Sequence, residues 1–285
     1  VTRLVDLLPT LGRRTQLMGI LNVTPDSFSD GGRYVTVDEA IAHAERLLAD
    51  GADVLDVGGE TTRPGAEPVS EDLERARVLP VIEALARRGL GPVSIDTTKA
   101  RVAADALDAG ARLVNDISGG TFEPAILEVT ARRRAAIVLM HTRARPSVMQ
   151  QGTWRYEGGV VHAVDAALAA RTAAAEAAGI PPDAIAVDPG IGFGKTLDEN
   201  LALLVGLDVL AARGRPVLVG TSRKSFLGKL TGRGVDALDV ATGASVAWAI
   251  ERGAAIVRVH DVAGARDVAR VTDALVAARA AARSA

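Results

Sequence analysis

Strand-sized runs rich in Val, Ile and Leu alternate eight times with longer Ala- and Leu-rich stretches, and glycine or proline marks most of the joins. This alternation builds a parallel sheet, because each strand must be carried back by a crossover helix before the next can pair beside it. The spacing predicts strands at 16–22, 54–58, 92–96, 113–117, 136–141, 185–188, 217–220 and 256–260. Between them, helices are predicted at 36–50, 70–88, 99–109, 124–133, 159–178, 197–212 and 236–252, with an eighth from 262 to the end. Thr36 with Glu39, and Thr196 with Glu199, have the spacing of a capping box; Ser70 is a further N-cap, and Gly51, Gly89 and Gly110 are helix stops. Eight of each is the count of a closed α/β barrel, a (β/α)8 TIM barrel. An open doubly wound sheet is the rival, but it usually has fewer strands. No Ser/Gly linker or charge block divides the chain, so 1–285 is read as a single domain.

The 285 residues are 48% apolar, enough to fill so large a core. Cysteine is absent, which excludes disulfide frameworks, thiolate metal sites and cysteine nucleophiles, and fits a reducing compartment. Lys and Arg number 33 against 35 Asp and Glu, so no global positive field draws the chain to nucleic acid or anionic lipid. Any anion site is local. No apolar run reaches the ~18 residues of a membrane span, and 1–14 lacks the apolar centre of a secretion signal. A cytoplasmic protein is expected.

In a barrel of this kind the chemistry lies where strands end and the following loops begin. Asn22, the stretch 59–63, Asp96, Asn115 with Asp116, His141, Asp188, the stretch 221–224, and Arg258 with His260 all fall there, whereas the strand starts read as bland. Any one of these is as readily a turn or a cap. Their convergence on one rim points to a site.

Other motifs are set aside. The stretch 188–196, DPGIGFGKT, looks like a phosphate loop, but Pro189 stands where a glycine is needed and has no amide to offer a phosphate. Nor does it complete the dinucleotide glycine fingerprint. His43 and His162 fall on predicted helices and are read as surface or packing residues. The run Arg132, Arg133 and Arg134 at a helix C-terminus is read as structural.

The blocks LMGILNVTPDSFSDGG, DVGGETTRPGA, SIDTTKARV, VNDISGG, VDPGIGFGK, GTSRKSFLG and VRVHD, in this order and spacing, resemble the bacterial dihydropteroate synthases over essentially the whole barrel. That resemblance implies condensation of (7,8-dihydropterin-6-yl)methyl diphosphate with 4-aminobenzoate, giving dihydropteroate and diphosphate. It also implies Mg2+ as cofactor and a homodimer. Thr61 stands where many members carry Ser, and HTRARPS at 141–147 departs from the commoner wording. The rivals are a methyltetrahydrofolate-type pterin-binding methyltransferase, which has no need of a diphosphate set, and a catalytically silent pterin-binding paralogue.

Residue chemistry agrees with the resemblance. A pterin's 2-amino-pyrimidinone edge suits carboxylates that accept paired N–H bonds, which Asp96 and Asp188 offer, with Asn115 able to donate and accept. Lys224 is expected at the pterin's carbonyl edge, Arg258 against the ring and a phosphate, and Met140 in the pocket wall. Asn22 matches the family's magnesium position, and Thr62, Arg63, Arg258 and His260 are expected to supply the diphosphate's remaining charge and hydrogen bonds. Family positions imply a 4-aminobenzoate site of Phe28, Thr62, Pro64, Phe193, Lys224 and Ser225, whereas Phe226 is read as helix packing. The catalytic group is then Asp30, Arg63, Lys224, Arg258 and His260, with Asp30 offsetting charge on a cation left by departing diphosphate. No general base is evident, and a neutral aromatic amine needs none.

Overall fold

The computed structural model describes residues 1–24, 36–61, 65–149, 151 and 156–284. Eight parallel strands close into a barrel: β1 (Gln16–Asn22), β2 (Val54–Gly58), β3 (Val93–Asp96), β4 (Leu113–Asp116), β5 (Ala136–Met140), β6 (Ile185–Asp188), β7 (Val217–Val219) and β8 (Ala254–Val259). Each strand pairs with the next, and β8 returns to β1 through Arg258 opposite Met18. The helices are α1 (Leu4–Leu7), α2 (Val37–Asp50), α3 (Glu71–Arg88), α4 (Ala100–Ala109), α5 (Ala125–Arg132), α6 (Val160–Ala177), α7 (Leu197–Val205), α8 (Leu207–Ala211), α9 (Ser225–Thr231), α10 (Asp239–Glu251) and α11 (Val262–Ser284).

The predicted caps are present. Thr36 Oγ1 accepts from Glu39 N while Glu39 accepts from Thr36 N, and Thr196 with Glu199 repeats the exchange. The predicted helix at 197–212 is broken at Gly206, where a side chain would run into Val161 of α6 at 2.8 Å. That predicted at 236–252 begins as a short 3-10 turn, Val235–Ala237, before α10. Strand β8 starts two residues early and ends at Val259, so Arg258 sits within it and His260 just beyond.

Nearly every strand residue is buried, because helices cover the outside and side chains fill the inside. The floor is not bland as expected. Gln16 is fully buried at the start of β1, Asp53 accepts from the Arg14 guanidinium and from Leu17 N, and Asp273 of α11 accepts from Thr15 N and Oγ1 at 2.9 and 2.8 Å. These bonds tie the entering chain and the closing helix to the barrel, away from the mouth. Among the described residues no helix is long and apolar enough to cross a membrane.

Candidate active site

The strand register lines up Asn22, Gly58, Asp96 and Asn115 as neighbours across β1 to β4, one rung of the barrel at its C-terminal end. Arg258 reaches this rung from β8 and is held by two carboxylates: its Nε donates to Asp56 Oδ2 at 2.6 Å and its Nη2 to Asp96 Oδ2 at 2.7 Å. Asn115 Nδ2 donates to the same Asp56 oxygen at 2.9 Å. Burial pushes the Asp96 carboxyl up to about 7, an effect that Arg258 opposes and the neighbouring Asp56 charge reinforces. The other Asp56 oxygen is buried with no partner among the described residues.

A second group comes from the loop after β6. Asp188 Oδ1 accepts from Gly190 N at 2.7 Å, yet burial dominates and raises its pKa to about 6. Gly190 is at φ +70°, and a Cβ there would lie 2.0 Å from the carbonyl oxygen of His141, so only glycine fits. Lys195, almost fully buried, donates its ammonium to the carbonyls of Gly190 (2.7 Å), Phe193 (3.2 Å) and His141 (3.3 Å), which pins the loop from below. Burial lowers its pKa to about 7. Lys224 Nζ donates to Ile191 O at 2.9 Å and lies 3.9 Å from the centre of the Phe193 ring. Burial brings it down to about 8. Met140, Phe193, Ile117 and Met149 form a small apolar cluster of their own, which places Met140 beside Asp188, its register partner.

The turn after β7 is over-determined. Arg223 is held at φ +56°, a conformation unusual for a side-chain-bearing residue, by two bonds to Asp239 and by Thr242 Oγ1 accepting from its N–H. This turn presents Ser222 to His260, whose Nδ1 lies 2.9 Å from Ser222 Oγ. Burial, with Arg258 and Arg223 nearby, drops the His260 pKa to about 4. Burial thus favours the neutral form of the ring. Ser225 is exposed at the first position of α9, and Phe226 is buried against Leu227 and the outer core, as expected.

On the far side of the rung, Lys99 bridges Glu60 and Glu74. Glu74 is 1% exposed, and burial raises its pKa. Glu60 opens the loop after β2, whose base is fixed again by Arg77 Nη1 donating to Gly59 O at 2.8 Å and by Gly65 N donating to Pro146 O at 3.1 Å. A small pocket beside this loop base includes Glu74, Asp96, Ile117 and Phe122 in its lining. The assigned residues Phe28, Asp30, Thr62, Arg63 and Pro64 lie outside the described residues.

A family model described as pterin binding enzyme matches residues 18–260. The chain belongs to the pterin binding enzyme family. Among its relatives, the dihydropteroate synthase of Synechocystis sp. is 48% identical over 265 residues, covering 93% of this chain and 91% of that protein. The dihydropteroate synthase of Xanthomonas albilineans, solved with 4-aminobenzoic acid, matches with a TM-score of 0.84 at 44% identity over 92% of this chain and 93% of that one. That of Burkholderia cenocepacia, complexed with 7,8-dihydropteroate, matches at 0.82 and 45% over 96% and 94%.

For a pterin binding enzyme, two buried charges in this mouth were missed by sequence reasoning. Asp56 is the one ionisable residue in the strand run VLDVG, and an acid within a buried strand is a signal in itself. Lys195 was dismissed with the phosphate-loop reading, although its glycine-rich surroundings mark a loop whose carbonyls need a donor.

Proposed function

We propose that this chain is a dihydropteroate synthase, joining (7,8-dihydropterin-6-yl)methyl diphosphate to 4-aminobenzoate to give 7,8-dihydropteroate and diphosphate in folate biosynthesis. One observation carries the reading: Asp96, Asn115 and Asp188 stand at strand ends around one mouth, with Arg258 and Lys224 among them, in a chain 48% identical to a dihydropteroate synthase. Asp188, Asp96 and Asn115 hold the pterin's amino-pyrimidinone edge, since ionised carboxylates accept its N–H groups. Lys224, poised between Ile191 O and the Phe193 face, donates to the carbonyl edge. The 4-aminobenzoate ring packs on Phe193 with its carboxylate near Ser225, and Phe28, Thr62 and Pro64 complete that pocket.

The bond from the pterin methylene to the diphosphate oxygen breaks first, the electron pair leaving with the diphosphate. The amine nitrogen then bonds to the methylene carbon and gives up one proton to solvent. Arg258, Arg63, Thr62 and His260 stabilise the departing oxygens, and Asp30 offsets the positive charge left on the pterin. Magnesium fits the donor set present. Gly58 leaves a space that a Cβ would fill, 3.3 Å from Asn22 Oδ1 and 3.7 Å from Asp96 Oδ2. A hard cation of this kind is carried mainly by phosphate and water and needs few protein oxygens. Asn22 would hold it, and when bound it supplies charge that neutralises the leaving diphosphate. A homodimer in the cytoplasm completes the reading, supported by the family resemblance and the absence of cysteine.

The test is direct. Purified chain incubated with the pterin diphosphate, 4-aminobenzoate and magnesium is expected to release dihydropteroate and diphosphate in equal amounts. Diphosphate release without dihydropteroate, or no turnover at all, would overturn the assignment.

A further inference from the structure

Ser222 and His260 form a closed pair at the mouth. The backbone N–H of His260 donates to Ser222 Oγ at 3.2 Å, and the same oxygen lies 2.9 Å from His260 Nδ1. Ser222 is 7% exposed, so its hydroxyl proton needs an acceptor, and among the described residues Nδ1 is the acceptor within reach. A hydroxyl that donates to Nδ1 requires that nitrogen to carry a lone pair. The single proton of a neutral imidazole then sits on Nε2.

Which nitrogen holds the proton decides the sign of the ring's interaction with phosphate. Protonated at Nε2, the ring donates to a phosphate oxygen; protonated at Nδ1, it turns a lone pair toward the same oxygen and repels it. The pair is also rigid. Thr221, before Ser222, accepts at its Oγ1 from Ser245 Oγ at 2.8 Å, and Arg223, after it, is locked to Asp239 and Thr242 of α10. Three side chains of α10 thus fix the backbone that aims one hydroxyl.

We propose that Ser222 is a positioning residue: its hydroxyl donates to Nδ1, fixes His260 as the tautomer protonated at Nε2, and so makes the ring a hydrogen-bond donor to the leaving diphosphate. This rests on the reading of the site as a dihydropteroate synthase. Because the donor acts on charge that develops as diphosphate leaves, losing its orientation lowers kcat more than it changes KM.

The chain has four histidines, so a spectrum of protein labelled with 15N-histidine is simple, and His260→Gln identifies the resonances of interest. The expected result is a protonated Nε2 and a bare Nδ1 at pH 7 in wild type, a mixture of the two tautomers in Ser222→Ala, and the wild-type pattern in Ser222→Thr. In turnover, Ser222→Ala is expected to lower kcat about tenfold, equivalent to roughly one hydrogen bond, with both KM values within about twofold, and Ser222→Thr to restore it. A proton on Nδ1 in wild type overturns the proposal, as does an unchanged tautomer or unchanged kcat in Ser222→Ala. The spectrum needs no substrate. An inactive wild-type chain would therefore overturn the assigned activity, while the proton's position on His260 still decides the role of Ser222.

Discussion

Replacing Asp56 by Asn tests the charge network at the centre of the mouth. The side chain is 0% exposed and its Oδ2 accepts from both Arg258 Nε and Asn115 Nδ2. Asparagine keeps the volume and can keep one accepting oxygen there, but its amide takes the place of an oxygen that has no partner among the described residues. The lost charge-assisted bond is worth about 1.5–3 kcal/mol, and the buried amide adds to the cost. Asp96 responds in the opposite direction. The Asp56 charge raises the Asp96 pKa, and removing it leaves Asp96 in sole possession of Arg258. Its pKa, raised to about 7 in wild type, is expected to fall by roughly one unit, or about 1.4 kcal/mol. A raised folded-state pKa means that stability is lost as pH climbs from the unfolded value through about 7. In Asp56→Asn that loss ends sooner and is smaller. The variant is thus destabilised relative to wild type more at pH 5.5 than at pH 8, by about 1.4 kcal/mol on the same estimate. Urea melts of both proteins at both pH values measure this. A destabilisation that is independent of pH, or that grows toward pH 8, would refute the coupling of Asp56 to Asp96 through Arg258.

Asp188, raised to about 6, and Asp96, raised to about 7, must be ionised to accept from a pterin, so calorimetry is expected to show pterin affinity falling as pH drops through 7 and 6. An affinity flat down to pH 5 contradicts the assignment of both carboxylates. Lys99→Met leaves Glu60 and the buried Glu74 without their cation and should cost about 3–5 kcal/mol in a denaturant melt, with Lys99→Arg costing much less. Equal melts for Lys99→Met and wild type would remove the triad as an anchor of the loop after β2. Asn22→Ala is expected to keep the thermal midpoint but to need more magnesium for half-maximal turnover, and an unchanged magnesium titration would place the cation elsewhere.

Most of the barrel was legible because its signals are local. The caps at Thr36, Ser70 and Thr196 and the stops at Gly51, Gly89 and Gly110 need only neighbouring residues, and each stands where expected. Helix α7 could not be told from α8 in sequence, and the close approach of Val161 of α6 that leaves room only for glycine at 206 is a tertiary contact. Asp96 and Asp188 were legible as rim residues since each ends its strand, and Asn115 stands one residue before the end of β4. Asp56 was not: it lies two residues before the end of β2, and only the register that brings Arg258 across from β8 gives it a partner 202 residues away. The lowered His260 pKa was equally hidden, because it comes from the burial that the closed barrel imposes and from Arg258 and Arg223 nearby.

The mouth is held in electrostatic tension. Burial pushes Asp96 and Asp188 up and Lys195 and Lys224 down, so in each case the folded chain disfavours the charged form. That cost is met elsewhere, by the apolar core and by floor bonds such as Thr15 to Asp273, which do no chemistry. A flat ring whose donors and acceptors match these groups supplies the hydrogen bonds that water no longer can, and so stabilises the charged forms. Loss of diphosphate then leaves a cation beside carboxylates already deprived of solvent, where each negative charge acts more strongly than it would in water. Rigid strand ends suit such a ligand, because a loop could relax away from the strain while a barrel rung bonded on both sides cannot.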